Sequence, residues 1–124
     1  MIQKDHILRQ VQQLAQVLAQ ALVHKRAGRP EQAEEAIAVG LASALGLELD
    51  ALCRLPRGDV LALCAPDGAL PGERAVAVAD VLWETGSAAG WQRALWLYEA
   101  ALASGAAVPF DVHERMRSLR ARLA

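Results

Sequence analysis

Three residues near the start of the chain, Asp5, His6 and Arg9, have side chains of the types found in catalytic charge relays. A relay needs the carboxylate to orient the imidazole, and the imidazole to activate a serine or cysteine. On a helix, however, His6 points about 100° away from Asp5, and no serine or cysteine lies nearby in sequence. Asp5 and Arg9 are instead spaced to form a surface ion pair. We interpret the segment as a helix beginning without catalytic residues, in which His6 is an edge residue that could face a partner.

The histidines are also the residues to consider for a metal site. His6 and His24 share one side of the predicted helix, but eighteen residues of helix separate them by about 27 Å along its axis. His113 has no ligand partner at helical i, i+4 spacing. Because a zinc site needs three or four converging ligands, the sequence predicts no metal, and no pattern in it indicates a cofactor.

A cluster of arginines near the C-terminus could bind phosphate groups: Arg115, Arg117, Arg120 and Arg122. The net charge of the chain is only −1, and no aromatic residues lie between these arginines. Cations are also favourable near a helix C-terminus. We therefore expect a solvated helix face and no nucleic-acid partner.

The composition is unfavourable for an enzyme and favourable for a helical domain. One threonine, four serines and no asparagine leave few nucleophiles and orienting amides. Of the 124 residues 54% are apolar but only 4% are aromatic, and alanine and leucine dominate. Such a composition predicts a single all-α domain over residues 1–124. Arginine outnumbers lysine eleven to two, which is typical of a GC-rich bacterial genome.

The sequence contains no predicted targeting or membrane segment. Residues 1–20 alternate apolar side chains with glutamine and charge, unlike a signal peptide. The longest strongly apolar stretch, around 75–83, is interrupted by Asp80 and is too short to span a bilayer. Cys53 and Cys64 lie in apolar surroundings and are expected to be buried without a disulfide. We expect a cytoplasmic protein with no membrane contact.

Apolar spacing divides the chain into antiparallel helical hairpins with short helices in the middle. The i, i+3, i+4 pattern predicts a first hairpin over residues 3–45, whose second helix begins at Pro30. Two short helices are expected in a connection over 47–70, the second capped by Asp59 and followed by a turn at Pro66, Asp67 and Gly68. Three further helices are predicted over 71–86, 88–104 and 111–123, the last with a capping-box start at Asp111 and Glu114.

Two surfaces are candidates for interaction. Trp96 and Ala100 lie off the main apolar stripe of their helix, either packed under the C-terminal helix, which we favour, or forming an interface. Gln13, Gln16 and Gln20 lie on an uncharged face of the first helix, which is either solvated or a groove or dimer surface.

The two helix pairs resemble tetratricopeptide-repeat hairpins. GRPEQAEEAIAVG places small and apolar residues of that pattern at Gly28, Pro30, Ala33, Ile37 and Gly40. AGWQRALWLYEAA matches it at Ala89, Trp91, Ala94, Tyr98 and Ala101, but lacks glycine at the turn position. The units lie about sixty residues apart instead of the 34 of a tandem array. The resemblance implies repeat-like packing with an insertion.

Most of the chain also resembles a small bacterial family of helical proteins whose activity is uncharacterised. IQKDHILR is similar to its opening QxDYIxR segment, with His6 where tyrosine is usual, and KRAGRPEQAEEAI supplies its turn and second helix. The resemblance implies a fold but no reaction or ligand. We expect a non-enzymatic interaction module for an unknown protein partner, self-associating as a possible homodimer. The alternative is a regulatory protein that binds a small molecule or peptide in an apolar pocket between helices.

Overall fold

The computed structural model describes residues 2–65, 68 and 70–124, with side chains from Asp5 onward. Over these residues the chain is all-α, as predicted, with seven helices and no strand. The helices are α1 (Ile2–Arg26), α2 (Pro30–Leu45), α3 (Leu49–Leu52), α4 (Arg57–Cys64), α5 (Gly72–Trp83), α6 (Ala88–Ala103) and α7 (Val112–Leu123).

The long helices lie where apolar spacing predicts them, and the differences occur at helix ends. Helix α5 ends at Trp83, three residues before the predicted end. The predicted cap at Asp59 is wrong, because α4 begins at Arg57 and Asp59 lies inside its first turn. Of the predicted turn that follows, Pro66 and Asp67 lie outside the described residues, while Gly68 has a left-handed backbone with φ of 86°.

Helices α1 and α2 form a closely packed hairpin. Gly28 turns the chain with φ of 72°, a conformation that glycine adopts without steric cost. Farther along α2, Gly40 lies against Val17 of α1 so closely that an added Cβ would be 2.3 Å from a valine methyl. The apolar faces of both helices are buried in this contact, including Leu14 and Leu41. A small residue at position 40 therefore sets the separation of the two helices.

Helix α5 is the centre of the molecule, packed against α1 on one side and α6 on the other. Its side chains are buried almost all round, as its sequence indicates. Helix α6 begins after Ser87, whose hydroxyl accepts a bond from the Gly90 backbone N–H at 3.1 Å. This N-cap satisfies one of the donors that a helix start leaves unpaired.

Polar side chains join the outer elements to this centre. The Arg93 guanidinium donates to the carbonyls of Leu52 and Leu55, which ties the α3 segment to α6. The Arg122 guanidinium of α7 lies near two indole rings. It is 5.0 Å from the centroid of Trp83 and 5.2 Å from that of Trp91. Cation–π attraction therefore helps to hold the end of α7. None of the described helices combines the length and apolarity needed to cross a membrane.

Candidate functional site

An open apolar groove runs along α1 and α5 and ends at the loop before α7. Its main pocket has a volume of about 270 Å³, and a neighbouring pocket at the start of α5 has about 240 Å³. Glu73 and Ala107 line both pockets, so the two are adjacent. We call this feature the α1–α5 groove; its lining residues are Ile7, Val11, Leu14, Ala15, Leu18, Pro71, Gly72, Glu73, Val76, Ala77, Asp80, Ala106, Ala107 and Pro109.

The groove exists because α1 has more apolar surface than its neighbours cover. Leu14 and Val17 are buried, while Val11 and Leu18 farther round the helix are only partly buried. Leu8, beyond them on the same side, is 42% exposed. An amphipathic helix that packs on one side needs a stripe about 100° wide. The wider stripe of α1 leaves an apolar strip open to solvent.

Phe110 stands next to the groove with its side chain 98% exposed. It follows Pro109, which lines the groove, and precedes Asp111, the residue before α7. A phenylalanine at this place often packs on the fourth residue of the helix, a contact known as a hydrophobic staple. Here that residue is Arg115, whose guanidinium bonds Asp111 and Asp80 instead. Phe110 therefore has no apolar neighbour at the start of its own helix.

The Arg115 contact also corrects the predicted capping box. Asp111 does precede α7, but its side chain makes no capping bond to the helix backbone. Its carboxylate accepts a bond from Arg115 Nε at 3.0 Å. The ion pair at i, i+4 spacing thus replaces the cap, because the guanidinium is drawn toward the Asp80 carboxylate nearby.

Asp80 is the main polar group in the wall of the groove. Its Oδ1 atom accepts a bond from the Tyr98 hydroxyl at 2.5 Å and another from Arg115. Burial raises the pKa of the Asp80 carboxyl and outweighs the opposing effects of Tyr98 and Arg115. Burial, together with the negative charge of Asp80, also raises the pKa of Tyr98. The tyrosine thus stays a hydrogen-bond donor, and the trio holds α7 against α5 and α6.

The predicted interaction residues on α6 lie toward the short helices. Arg93, which is bonded to α3 carbonyls, lies over the Trp96 ring at 5.1 Å from its centroid. Ala100 lines a pocket together with Leu61 and Ala65 of the α4 segment. Trp96 is partly buried against the core, and the expectation that it packs under the C-terminal helix stays a prediction.

The residues predicted on α1 separate into two groups. Gln13 donates to the Ser43 hydroxyl at 2.8 Å, so it belongs to the contact between α1 and α2. Gln16, Gln20 and His6 are exposed. Asp5 and Arg9 do not form the predicted ion pair in the described part of the chain. None of the six predicted interaction residues lines the α1–α5 groove.

Among the described residues, the cysteines, histidines and carboxylates form no further site. Cys64 is buried, Cys53 is partly exposed, and both are free thiols. Among the described residues, no three histidine, cysteine, aspartate or glutamate side chains are grouped so that they could hold a metal ion.

The groove is not among the surfaces predicted from the sequence, although one signal of it is present there. The apolar residues Leu8, Ala15 and Leu22 widen the stripe of α1 beyond what a single packed neighbour covers. No family model, curated protein or solved structure matches the chain. Its function is therefore inferred from the shape, lining and charge of the groove.

Proposed function

We propose that this protein is a non-enzymatic interaction module that receives apolar side chains of a protein partner in the α1–α5 groove. The observation that carries the proposal is the groove itself, which is apolar and open and spans two adjacent pockets. From Ile7 to Leu18 it follows about three turns of α1, or roughly 17 Å. That length suits a few residues of a partner chain.

The polar groups of the groove favour binding over chemistry. Asp80 is engaged by Tyr98 and Arg115, so its Oδ1 atom is already occupied by two donors. Glu73, the other carboxylate, is exposed at the junction of the two pockets. A nucleophile with an adjacent base, which covalent catalysis requires, is not among the lining residues of the groove.

Site-specific photo-crosslinking in living cells tests this function. A diazirine-bearing residue at Ala15, which is exposed in the groove, should give protein adducts on irradiation. The same residue at Val39 is the matched control, because Val39 is 63% exposed on α2 and lies outside the groove. Adducts that form equally at both positions, or at neither, would contradict the proposal.

The second candidate function is binding of a small molecule or short peptide in the same groove. The carboxylates Glu73 and Asp80 in an otherwise apolar wall favour it, since ligand sites combine an apolar lining with a few polar groups. The main pocket, at about 270 Å³, is just below the usual size range of roughly 300–1,000 Å³. Native mass spectrometry of the purified protein would show a bound small molecule, which the groove-filling variant Ala15→Trp should lose.

A further inference from the structure

The loop that closes the α1–α5 groove also carries the most exposed large apolar side chain among the described residues. Phe110 is 98% exposed, whereas the next, Val39, is 63% exposed. Removing a phenylalanine side chain from water is strongly favourable. A fully solvated ring beside an apolar groove therefore extends the apolar surface that a partner would bury.

Phe110 does not fill the groove of its own chain. Its neighbour on one side is Pro109, which lines the groove and whose ring restricts the backbone. On the other side, two residues later, Val112 is completely buried at the start of α7. As it lies, the ring is 98% exposed and contacts almost nothing of its own chain. The side chain is therefore available to a surface outside its own molecule.

We infer that the occupant of the groove is Phe110 of a second copy of this chain, in a two-fold symmetric dimer. The inference rests on the proposed function and names its partner. A two-fold interface uses the same patch on both subunits, so a projecting group and its receptor must lie on one face. Phe110 and the groove meet this condition, because Pro109 and Ala107 of the same loop line the pocket.

The charges near the two parts of the patch are complementary. Glu73, at the junction of the pockets, is exposed and forms no ion pair with any described residue. Close to Phe110 in the chain, the exposed side of α7 carries His113, Glu114 and Arg117, and the helix is basic as a whole, with four arginines and one glutamate. When Phe110 enters the partner's groove, this basic side of α7 comes toward the partner's Glu73, and the attraction occurs twice in the dimer.

The first measurement is light scattering coupled to size-exclusion chromatography, from 10 to about 500 µM protein. Wild-type protein should change from the monomer mass of 13.3 kDa toward twice that value as the concentration rises. Phe110→Ala removes both rings of the dimer and should raise the dissociation constant by about 100-fold or more. Val39→Ala, at an exposed site outside the groove, should leave it unchanged.

Mixing two defective variants tests the pairing of ring and groove directly. Ala15→Glu places a carboxylate in the groove at an exposed helical position and should also give a monomer. An equimolar mixture of Phe110→Ala and Ala15→Glu retains one intact ring and one intact groove, so it should form mixed dimers that neither variant forms alone. Failure of the mixture to associate more than either variant would overturn the inference.

The outcomes separate this inference from the proposed function. Wild-type protein that stays monomeric at about 500 µM overturns the dimer, as does a dimer unaffected by Phe110→Ala. If crosslinks at Ala15 then join the chain to a different protein, the groove is an interaction site with another partner. If Ala15 gives no adducts and the chain is monomeric, both proposals are wrong.

Discussion

At the scale of single residues, Asp80 joins three helices through one carboxylate oxygen. It lies on α5, accepts a bond from Tyr98 of α6 and pairs with Arg115 of α7. Its side chain is only 23% exposed, so ionisation costs solvation free energy that the two donors do not fully restore. In the sequence the same residue is only an interruption of an apolar run.

The raised pKa of Asp80 predicts a specific pH dependence of stability. A carboxyl that is harder to ionise in the folded state binds its proton more tightly there than in the unfolded chain. Its contribution to stability is therefore complete below the unfolded pKa of about 3.9 and is lost as the pH rises through the folded value. Between pH 4 and 7, the free energy of unfolding of wild type should therefore fall relative to that of Asp80→Asn.

Urea denaturation of both proteins across this pH range measures the effect. Tyr98→Phe is the companion variant, because it removes a donor that lowers the pKa of Asp80 and should make the pH dependence steeper. It should also cost about 1–3 kcal/mol of unfolding free energy at pH 7. The opposite result is that wild type gains stability relative to Asp80→Asn as the pH rises. It would show that the two donors lower the pKa of Asp80 more than burial raises it.

At the scale of helices, the approach of α1 to α2 depends on a missing side chain. Gly40 is in the middle of α2, where glycine normally costs about 1 kcal/mol relative to alanine. The helix tolerates this cost because Val17 of α1 occupies the space that a Cβ would fill. Valine is stiff about χ1, so it has little freedom to move aside.

Gly40→Ala should therefore lower the free energy of unfolding by about 1–3 kcal/mol, despite its better helix propensity. Gly58→Ala is the matched control, since Gly58 lies in α4 with open space around its Cα, and it should be neutral or stabilising. Thermal and urea unfolding report both changes. The double variant Val17→Ala, Gly40→Ala should recover part of the free energy of unfolding that Gly40→Ala loses. If Gly40→Ala is as stable as Gly58→Ala, the packing explanation is wrong.

At the scale of the whole molecule, helices from both ends of the chain share one core. Leu14 of α1 and Leu119 of α7 are fully buried members of the same cluster, with the side chains of α5 and α6 between them. Elements that share one core are expected to unfold together. The short α3 and α4 helices contribute Leu52, Val60 and Cys64 to it.

This shared core predicts that Leu14→Ala and Leu119→Ala act on a single transition. Each should cost about 2–5 kcal/mol and lower the same denaturation midpoint, without creating a second step. Circular dichroism and tryptophan fluorescence should give coincident curves for each variant, although all three tryptophans are in or near α5 and α6. Separate transitions by the two probes would show that the α1–α2 hairpin unfolds independently.

The sequence by itself determined the helical class and the positions of the long helices. Apolar residues spaced three and four apart in α1, and glycines near the helix ends, are local features that act within a few residues. The buried character of α5 was likewise evident from its apolar run. The errors concern polar side chains at helix starts: Asp59 lies inside the first turn of α4, and Asp111 bonds Arg115 in place of the helix backbone.

Only the tertiary structure decided where a surface remained open. Whether Leu8 and Val11 are covered depends on which helix packs beside α1 in addition to α2, and that helix is α5, about sixty residues away. Likewise, Phe110 is exposed, and Arg115, the residue on which it could have packed, bonds Asp80, 35 positions earlier in the chain. Local spacing specifies helices through contacts between near neighbours, whereas a groove is formed by surfaces that helices distant in sequence leave uncovered when they pack.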